Sequence, residues 1–305
     1  MTSPAQATPV GLTDEVLQAW PLPQPGETGG KESRGRILII AGSAEVPGAA
    51  RLAGEAALRA GAGKLAIATV ASAAMQLAIA VPEARVIALP ETARGGIAPP
   101  GFEALQEAAA KAQAIVIGPG MQDEEATCGL VRMLLRGGMD AHLVLDACAM
   151  NALRDDAAAR ASVCITPHAG EMAHLTKRDK ADIQADPDGV AHEAARRFHA
   201  LVVLKGAVTH IAATDGRSWR HEGGNAGLGV SGSGDVLAGL IGGLAARGAS
   251  LEQAAAFAVR VHARAGERLA ARLGSLGYLA RELSVEVPAL LDALAPRAQR
   301  RIGFG

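Results

Sequence analysis

The stretch that decides the fold is Asn225-Ala-Gly-Leu-Gly-Val-Ser-Gly-Ser-Gly-Asp235, which runs directly into the apolar segment Val236-Leu-Ala-Gly-Leu-Ile-Gly-Gly-Leu244. A glycine-rich loop that opens a helix brings backbone N–H groups and the positive end of the helix dipole to one point, where they favour an anion. The pattern therefore predicts a phosphate site. Asp235 would repel a phosphate unless it handles a proton or a metal, so it is a candidate base. The alternative, that Asp235 only stabilises the first helical turn, stays open at this point.

Composition describes a globular chain with an aliphatic core. Of the 305 residues, 49% are hydrophobic, 20% are charged and 2% are aromatic, and the formal net charge is −1. A near-neutral chain with few aromatic side chains lacks both the basic surface and the stacking platforms of a nucleic-acid-binding protein. We therefore expect no nucleic-acid partner and a small-molecule ligand instead.

The cysteines and the N-terminus predict a cytoplasmic protein. Cys128, Cys148 and Cys164 are widely spaced and form no C-x-x-C pair, which is typical of reduced thiols rather than of a disulfide framework. Residues 1–10 contain neither the basic region nor the apolar region of a secretion signal, and no apolar stretch is long enough to span a bilayer. We expect a protein that is not exported and has no membrane partner.

Short apolar runs that are typical of buried strands alternate with helical segments along the chain. The predicted strands are 36–41, 64–70, 84–89, 114–117, 143–145, 163–165 and 201–204. This alternation predicts an α/β fold with a mostly parallel sheet and helices on both faces. Two further runs, 208–214 and 217–221, flank Asp215-Gly216 and predict an antiparallel hairpin at the edge of the sheet.

The termini differ in composition from the rest of the chain. Residues 1–35 are rich in proline and glycine, so we interpret them as an arm outside the core, with one short helix capped by Thr13. Residues 36–296 form the predicted catalytic domain, and residues 297–305 are a basic C-terminal tail. Within the domain, Ser250 is expected to cap a helix of about 24 residues, and a last helix is predicted near 284–294.

Polar or glycine-rich segments follow most of the predicted strands. They are Gly42-Ser43, Gly118-Pro119-Gly120, Asp146, Thr166-Pro-His-Ala-Gly-Glu171, Lys205-Gly206 and the loop that ends at Asp235. Ligands of open α/β sheets bind outside the carboxyl ends of the strands, so this repeated coincidence predicts a cleft there.

Each candidate in this cleft has a structural alternative. His168 could bind a ligand or be an exposed loop histidine, and Glu171 is expected to cap the following helix. Lys205 ends a buried strand and needs an acidic partner or a phosphate. Asp146 could hold Mg²⁺ through water or cap the segment that follows it, and Cys148 is expected to pack rather than react. The spacings fit neither a Rossmann fingerprint nor a Walker A loop.

The sequence resembles a known family at several of these segments. Gly-Ser-Gly-Asp at 232–235, followed by an apolar helix, resembles the Gly-Thr-Gly-Asp signature of the ribokinase-like superfamily. Residues 39–43, 47–50, 56–63, 117–121, 166–172, 203–209 and 225–239 together resemble the ADP-dependent NAD(P)H-hydrate dehydratase family. The resemblance spans roughly residues 12–294 and implies a three-layer α/β/α sandwich of the ribokinase-like kind.

The resemblance also implies an activity and roles for particular residues. Enzymes of this family use ADP, with Mg²⁺, to convert the hydrate of NADH or NADPH back to the cofactor, and they phosphorylate the ring hydroxyl before phosphate departs. Asp235 would take the hydroxyl proton, and Gly232, Ser233 and Gly234 would stabilise the transferring phosphoryl group. Ala49, Gly120 and His168, with Asp235, would contact the hydrate. Lys205, Gly206, Ala207, Val208 and Thr209, with Gly234, would bind the AMP portion of ADP. No residue is assigned as a direct metal ligand.

The resemblance implies partners and is imperfect in two places. Family members often form homo-oligomers, including tetramers, and we expect a separate NAD(P)H-hydrate epimerase as the functional partner. The family pattern Asp-Ala-Asp-Ala-Leu-Asn reads Asp146-Ala-Cys-Ala-Met-Asn151 here, and Val230 and Ser231 replace the usual Thr-Gly. A ribokinase-like kinase of a small hydroxymethyl substrate, and a nucleotide-binding relative with impaired catalysis, therefore remain as alternatives.

Overall fold

The computed structural model describes residues 8–24, 30–137, 140–154 and 162–296. Its strands are β1 (Val10–Gly11), β2 (Arg36–Ile40), β3 (Lys64–Val70), β4 (Ala84–Leu89), β5 (Ala114–Ile117), β6 (His142–Leu145), β7 (Val163–Ile165), β8 (Leu201–Leu204), β9 (Val208–Ala212) and β10 (Ser218–Glu222). Its helices are α1 (Asp14–Gln18), α2 (Gly48–Arg59), α3 (Ala71–Ala80), α4 (Phe102–Lys111), α5 (Glu124–Arg136), α6 (Ala169–Thr176), α7 (Lys180–Ala185), α8 (Pro187–Phe198), α9 (Ser233–Ala246), α10 (Leu251–Leu273) and α11 (Ala280–Leu294).

The strands of the described residues form one ten-stranded sheet in the order β1-β10-β9-β8-β7-β6-β5-β2-β3-β4. The seven strands from β4 to β8 in this order run parallel. Strand β9 is antiparallel to β8 and to β10, so the predicted hairpin of β9 and β10 is present. Helices cover both faces, so the predicted α/β class is confirmed. The apolar runs of β5 and β8 are buried along their whole length, as central strands between two helical layers must be.

Helix α9 approaches its neighbour α2 so closely that their backbones touch. A Cβ atom placed on Gly239 would lie 2.2 Å from the carbonyl oxygen of Ala53, and one placed on Gly243 would lie 2.5 Å from that of Ala57. Only glycine fits at these two positions of α9, and alanines on α2 keep the facing surface flat. This contact fixes the position of the loop that precedes α9.

The N-terminal segment departs from its prediction as an arm outside the core. Leu12, Leu17 and Leu22 are buried, and Thr13 caps α1 as predicted, at 3.3 Å from the backbone N–H of Val16. Residues 8–24 therefore contribute to the core, because their prolines interrupt regular structure without preventing the leucines between them from packing. The bounds of the catalytic domain at 36 and 296 stay a prediction, and the tail 297–305 lies outside the described residues.

Strand β1 was not predicted. It pairs parallel with β10 and so lies outside the antiparallel hairpin, and Trp20 stacks on Trp219 of β10 at 5.7 Å between ring centroids. A guanidinium nitrogen of Arg260 on α10 lies 2.8 Å from Oδ1 of Asp14, and this ion pair connects the N-terminal segment to the helical layer. The N-terminal segment thereby pairs with Trp219 and Arg220 in the middle of β10, which covers part of this edge of the sheet.

Two helix predictions near the C-terminus had different outcomes. Ser250 caps α10 through its hydroxyl, which accepts from the backbone N–H of Gln253 at 3.2 Å, as predicted. Helix α11 begins at Ala280 rather than near 284. Its earlier start is stabilised by Glu282, whose carboxylate accepts a hydrogen bond from the N–H of Leu279 at 2.7 Å.

Truncating Leu17 to alanine tests whether the N-terminal segment belongs to the core. Because this side chain is fully buried, Leu17→Ala is expected to lower the free energy of unfolding by about 2–4 kcal/mol. The measurement is the urea midpoint, with the exposed Leu276→Ala as the matched control. Equal midpoints for the two variants would show that the segment does not contribute to the cooperative core.

Candidate active site

Backbone hydrogen bonds bring the predicted strand-end segments to one edge of the sheet. The N–H of Gly42 bonds the carbonyl of Pro119 at 2.8 Å, and the N–H of Lys205 bonds that of Pro167 at 2.8 Å. Similar bonds join Asp146 to Ile117 and Thr166 to Leu145. The segments predicted at the carboxyl ends of the strands therefore lie side by side, with each segment hydrogen-bonded to its neighbour.

The loop before α9 has the geometry of an anion site. Gly232 stands at the N-cap with φ +90°, and a Cβ there would lie 2.5 Å from Cδ1 of Leu52, so both its conformation and its surroundings require glycine. The N–H of Ser233 donates a hydrogen bond to the carbonyl oxygen of Val230 at 3.2 Å. Within the residues that the structure describes, the N–H groups of Gly234 and Asp235 have no hydrogen-bond partner. Two unpaired donors at a helix N-terminus favour a phosphate.

Lys205 connects this loop to the acidic end of the sheet. Its Nζ atom lies 3.2 Å from Oδ1 of Asp146 and 3.7 Å from Oε2 of Glu171. A Cβ atom on Gly234 would be 3.4 Å from the same Nζ. Burial lowers the pKa of Lys205, but the neighbouring carboxylates outweigh burial and the pKa is raised. The lysine therefore has the predicted acidic partners and also faces the anion site as a cation.

Asp235 carries the most informative electrostatic property of the site. The pKa of its carboxyl is raised to about 7, first by burial and then by the charge of Asp146, with a smaller contribution from Glu171, while Lys205 acts in the opposite direction. A carboxylate that only complements a helix dipole would be favoured in its ionised form, which would lower its pKa. A pKa near neutrality is what a proton acceptor needs, and it favours the interpretation of Asp235 as a base.

His168 is the N-cap of α6 rather than a loose loop residue. Its Nδ1 accepts hydrogen bonds from the N–H groups of Gly170 and Glu171 at 3.0 and 3.2 Å, and Glu171 accepts from the N–H of His168 at 2.8 Å. The predicted capping role of Glu171 is therefore present, and His168 shares it. Because Nδ1 is an acceptor, the ring hydrogen resides on Nε2. The side chain is 60% exposed, so this Nε2–H is accessible to a ligand.

Ala49 and Gly120 meet across the cleft. Ala49 lies in the first turn of α2 and is buried. Gly120 has φ +67°, and a Cβ placed on it would lie 2.6 Å both from Cβ of Ala49 and from the carbonyl oxygen of Val46. The structure therefore brings these two predicted residues into direct contact.

The segment predicted to hold a nucleotide joins β8 and β9. Gly206 and Ala207 form an exposed turn, while Val208 and Thr209 begin β9 and are half-buried. The backbone of this turn is open beside Lys205. The arrangement is consistent with a ligand that lies along the turn and extends towards the loop before α9.

Among the residues that the structure describes, no group of three or more His, Cys, Asp or Glu side chains could bind a metal. Asp146 is buried, and its Oδ1 accepts from Thr166 Oγ1 at 2.6 Å as well as from Lys205. An Mg²⁺ ion that is bound mainly by phosphates and water needs only one or two protein carboxylates. The donor set fits that mode and does not fit a cage made by the protein alone.

Cys148 packs as predicted. Its thiol donates to the carbonyl of Met121 at 3.3 Å, and burial raises its pKa to about 11, so it is protonated at neutral pH. It lines a cavity of about 350 Å³ beside the charged cluster, together with Met150, Asn151, His168, Glu171 and His174. The substitution of Cys148 for the usual acid therefore places a neutral thiol near Asp146, in a cavity whose carboxylates are Glu124 and Glu171.

One residue of the site escaped the sequence analysis. Nε2 of His262 on α10 lies 3.0 Å from Oγ of Ser233 and 3.0 Å from its carbonyl oxygen. The only signal in the sequence is a histidine on a helix face that is otherwise apolar, and such a histidine is more commonly part of the core. The contact spans 29 positions of the chain, so no local motif indicates it.

The fold and the site together define an α/β protein of the ribokinase-like kind, with an acid at the start of the helix that follows its anion loop. Residues 37–289 match the family described as NAD(P)H-hydrate dehydratase, and the chain belongs to this family. The family resemblance and the prediction of an enzyme are therefore confirmed. No helix among residues 8–24, 30–137, 140–154 and 162–296 has both the length and the apolar character needed to cross a membrane.

Individual relatives agree with this membership. The chain is 50% identical over 294 residues to the ADP-dependent (S)-NAD(P)H-hydrate dehydratase of Xanthomonas campestris, covering 96% of this chain and 99% of the relative. It is 36% identical to the bifunctional NAD(P)H-hydrate repair enzyme Nnr of Moorella thermoacetica, where 93% of this chain corresponds to 54% of the relative, so the chain spans about half of that protein.

Two solved structures are similar along nearly their whole length. The ADP/ATP-dependent NAD(P)H-hydrate dehydratase of Bacillus subtilis, co-crystallised with ATP and Mg²⁺, is 31% identical with a TM-score of 0.80, covering 95% of this chain and 100% of that one. A ribokinase-like superfamily protein of Enterococcus faecalis is 24% identical with a TM-score of 0.80, covering 94% and 96%, which shows the shared fold.

Replacing Asp235 by asparagine is expected to stabilise the protein at alkaline pH. The pKa of this carboxyl is about 7 in the folded state and near its usual value of 3.8 in the unfolded state, so ionisation destabilises the fold increasingly as the pH rises from about 4 to 7. At pH 8 Asp235→Asn should raise the free energy of unfolding by about 2–4 kcal/mol, and the gain should shrink towards pH 4.

Thermal unfolding of both proteins from pH 4 to 8 measures this effect. Asp292→Asn, which removes a carboxylate from α11 away from the site, is the matched control. A melting temperature that does not change at pH 8 would show that the carboxyl of Asp235 titrates normally.

Proposed function

We propose that this protein catalyses the ADP-dependent dehydration of the (S)-hydrate of NADH or NADPH and releases AMP and phosphate. The observation that carries the proposal is the carboxyl of Asp235, with a pKa of about 7, next to the unpaired N–H groups of Gly234 and Asp235. This combination provides a proton acceptor and an anion hole at one point. A relative at 50% identity bears the same activity in its name.

The first step is a phosphoryl transfer. Asp235 takes the proton of the ring hydroxyl, the hydroxyl oxygen bonds to the β-phosphorus of ADP, and the bond from that phosphorus to the AMP oxygen breaks. Gly232, Ser233 and Gly234 stabilise the charge on the transferring group through the N-terminus of α9. Lys205, held at 3.2 Å from Asp146, adds a cation beside the loop. Because Asp235 must be ionised to accept the proton, its pKa sets the lower pH limit of the reaction.

The second step is elimination. Hydroxide is a poor leaving group, whereas phosphate is a good one, so the phosphorylated ring carbon loses phosphate as the ring nitrogen supplies an electron pair. The departed phosphate then takes a proton from the neighbouring ring carbon, which restores the double bond of the reduced nicotinamide. The site needs no covalent nucleophile for this sequence, which agrees with the protonated thiol of Cys148.

The two substrates occupy neighbouring parts of the cleft in this proposal. The hydrate contacts Ala49, Gly120, His168 and Asp235, and the AMP portion of ADP lies along Lys205, Gly206, Ala207, Val208, Thr209 and Gly234. The meeting of Ala49 with Gly120 and the exposed Nε2–H of His168 support the first assignment. The open turn between β8 and β9 supports the second.

Mg²⁺ is part of the proposal as a partner of the phosphates. Asp146 would hold it through water, because Oδ1 of Asp146 already accepts from Thr166 and Lys205. When bound, the ion neutralises phosphate charge during transfer. The similar enzyme of Bacillus subtilis was co-crystallised with ATP and Mg²⁺, which supports both ligands.

The cellular setting is a separate part of the proposal. We infer a cytoplasmic homo-oligomer, with a tetramer as the expected form, that works with a separate NAD(P)H-hydrate epimerase. Relatives named as bifunctional repair enzymes, of which this chain spans about half, support a second activity that acts alongside this one. The alternatives of a hydroxymethyl kinase or an impaired nucleotide-binding protein are not favoured, because the relatives similar over the full chain are named dehydratases.

Purified protein should restore the absorbance of the reduced nicotinamide from its (S)-hydrate when ADP and Mg²⁺ are supplied. Asp235→Asn should lower kcat by about 1,000-fold or more because the proton acceptor is lost. The assay is run with ADP and with ATP in parallel. The amounts of AMP and phosphate released are compared with the amount of hydrate consumed. Accumulation of a stable phosphorylated alcohol would contradict dehydration and indicate a kinase.

Charge changes around Asp235 should move the pH profile in opposite directions. In the wild type, kcat should fall below pH about 7 as Asp235 becomes protonated. Asp146→Asn removes a negative charge that raises this pKa, so the acidic limb should move to lower pH. Lys205→Met removes a positive charge that lowers the pKa, so the limb should move to higher pH.

The comparison of these two variants has an internal control, since both remove one partner of the same ion pair. A shift of both limbs in the same direction would mean that loss of the pair, rather than the charge at Asp235, determines the profile.

A further inference from the structure

The contact between His262 and Ser233 joins the long helix α10 to the first residue of α9. Nε2 of His262 lies 3.0 Å from the carbonyl oxygen of Ser233 and 3.0 Å from its hydroxyl oxygen. Ser233 itself is buried, and it directly precedes the unpaired N–H groups of the anion loop. One imidazole nitrogen therefore contacts both oxygens of the residue that opens the helix.

The geometry determines which atoms carry the hydrogens. A carbonyl oxygen can only accept, so Nε2 of His262 must be the donor in the contact with the carbonyl of Ser233. Burial lowers the pKa of His262 to about 4, so the ring is neutral at pH 7 and carries its single hydrogen on Nε2. A protonated Nε2 has no lone pair in the ring plane, so it cannot accept a hydrogen bond from Ser233.

The hydroxyl hydrogen of Ser233 is consequently left without an acceptor. The hydroxyl oxygen of Ser233 lies 3.0 Å from the N–H donor Nε2 of His262. Among the described residues, Oγ of Ser233 has no other hydrogen-bond partner. A buried hydroxyl normally satisfies its donor. Because this one lies at the start of α9, an anion bound there is the acceptor that the arrangement leaves open.

We propose that His262 is a positioning residue, which holds Ser233 so that the serine hydroxyl donates to the phosphoryl group bound at the N-terminus of α9. This inference rests on the proposed function only for the chemical identity of the bound anion, which the proposed function makes a phosphoryl group. The imidazole does not touch the substrate. It acts through Ser233, and a serine that lacked this donor could turn its hydroxyl towards its own backbone instead.

The kinetic test uses His262→Leu, His262→Gln, Ser233→Ala and the double variant His262→Leu/Ser233→Ala. His262→Leu and Ser233→Ala should each lower kcat by about 10–100-fold, with KM for ADP within about 3-fold of the wild type, because the lost hydrogen bond forms mainly in the transition state. The double variant should be no slower than either single one. His262→Gln, which keeps an N–H donor at a similar distance, should recover most of the loss.

The outcomes separate positioning from a structural role. Additive losses in the double variant, or full activity in Ser233→Ala, would overturn the proposal. His199→Gln, at an exposed histidine that ends α8, is the matched control for the glutamine substitution. Thermal unfolding accompanies each assay, and His262→Gln decides the question if His262→Leu does not fold.

A second measurement does not depend on turnover. In uniformly ¹⁵N-labelled protein at pH 7, His262 should show a protonated Nε2 and an unprotonated Nδ1, and inorganic phosphate should shift the amide signals of Gly234 and Asp235 in the wild type. In His262→Leu those shifts should decrease at least about 3-fold. An Nδ1–H ring would overturn the proposal, whereas a wild type that binds phosphate but does not restore the cofactor would contradict only the proposed function.

Discussion

Close contact between α9 and α2 is the constraint on which the site depends. Gly239 and Gly243 let the α9 backbone rest against the carbonyl groups of Ala53 and Ala57. At the N-terminal end of the same helix pair, Gly232 turns against Leu52 of α2. Any larger side chain along this contact would move the start of α9, and with it the two unpaired N–H groups and the carboxyl of Asp235. The packing of two helices therefore sets the geometry of the anion site.

Charge placement then decides what that geometry can do. Three carboxylates surround the single ammonium of Lys205, and they do not share it equally. Asp146 accepts hydrogen bonds from Lys205 and Thr166, whereas the half-buried Asp235 interacts with the ammonium of Lys205 only electrostatically, without a hydrogen bond. The excess of negative charge therefore raises the pKa of Asp235. A carboxyl that is poorly stabilised as an anion lowers the stability of the fold, and the same property makes it a base near pH 7.

Much of the fold could be predicted because its elements are defined by short-range patterns. The bounds of β3, β4, β5, β7 and β8 follow from apolar runs, and the Ser250 cap follows from one side chain. Strand β1 has only two residues and therefore no periodicity, and the buried leucines of residues 8–24 stand among prolines. Their inclusion in the core depends on β10 and α10, which are distant in sequence. His262 was missed for the same reason.

The sequence by itself determined the α/β class, the order of strands β2 to β10 along the chain, and the residues that stand at the ends of those strands, because each depends on neighbours within one element. Only the tertiary structure decided the protonation of the ionisable groups in the site. The pKa of Asp235 near 7, the charge on Lys205 and the hydrogen on Nε2 of His262 depend on burial and on distances between atoms far apart in the chain. Electrostatic and hydrogen-bond energies depend on distance in space, which a linear pattern of residues does not specify.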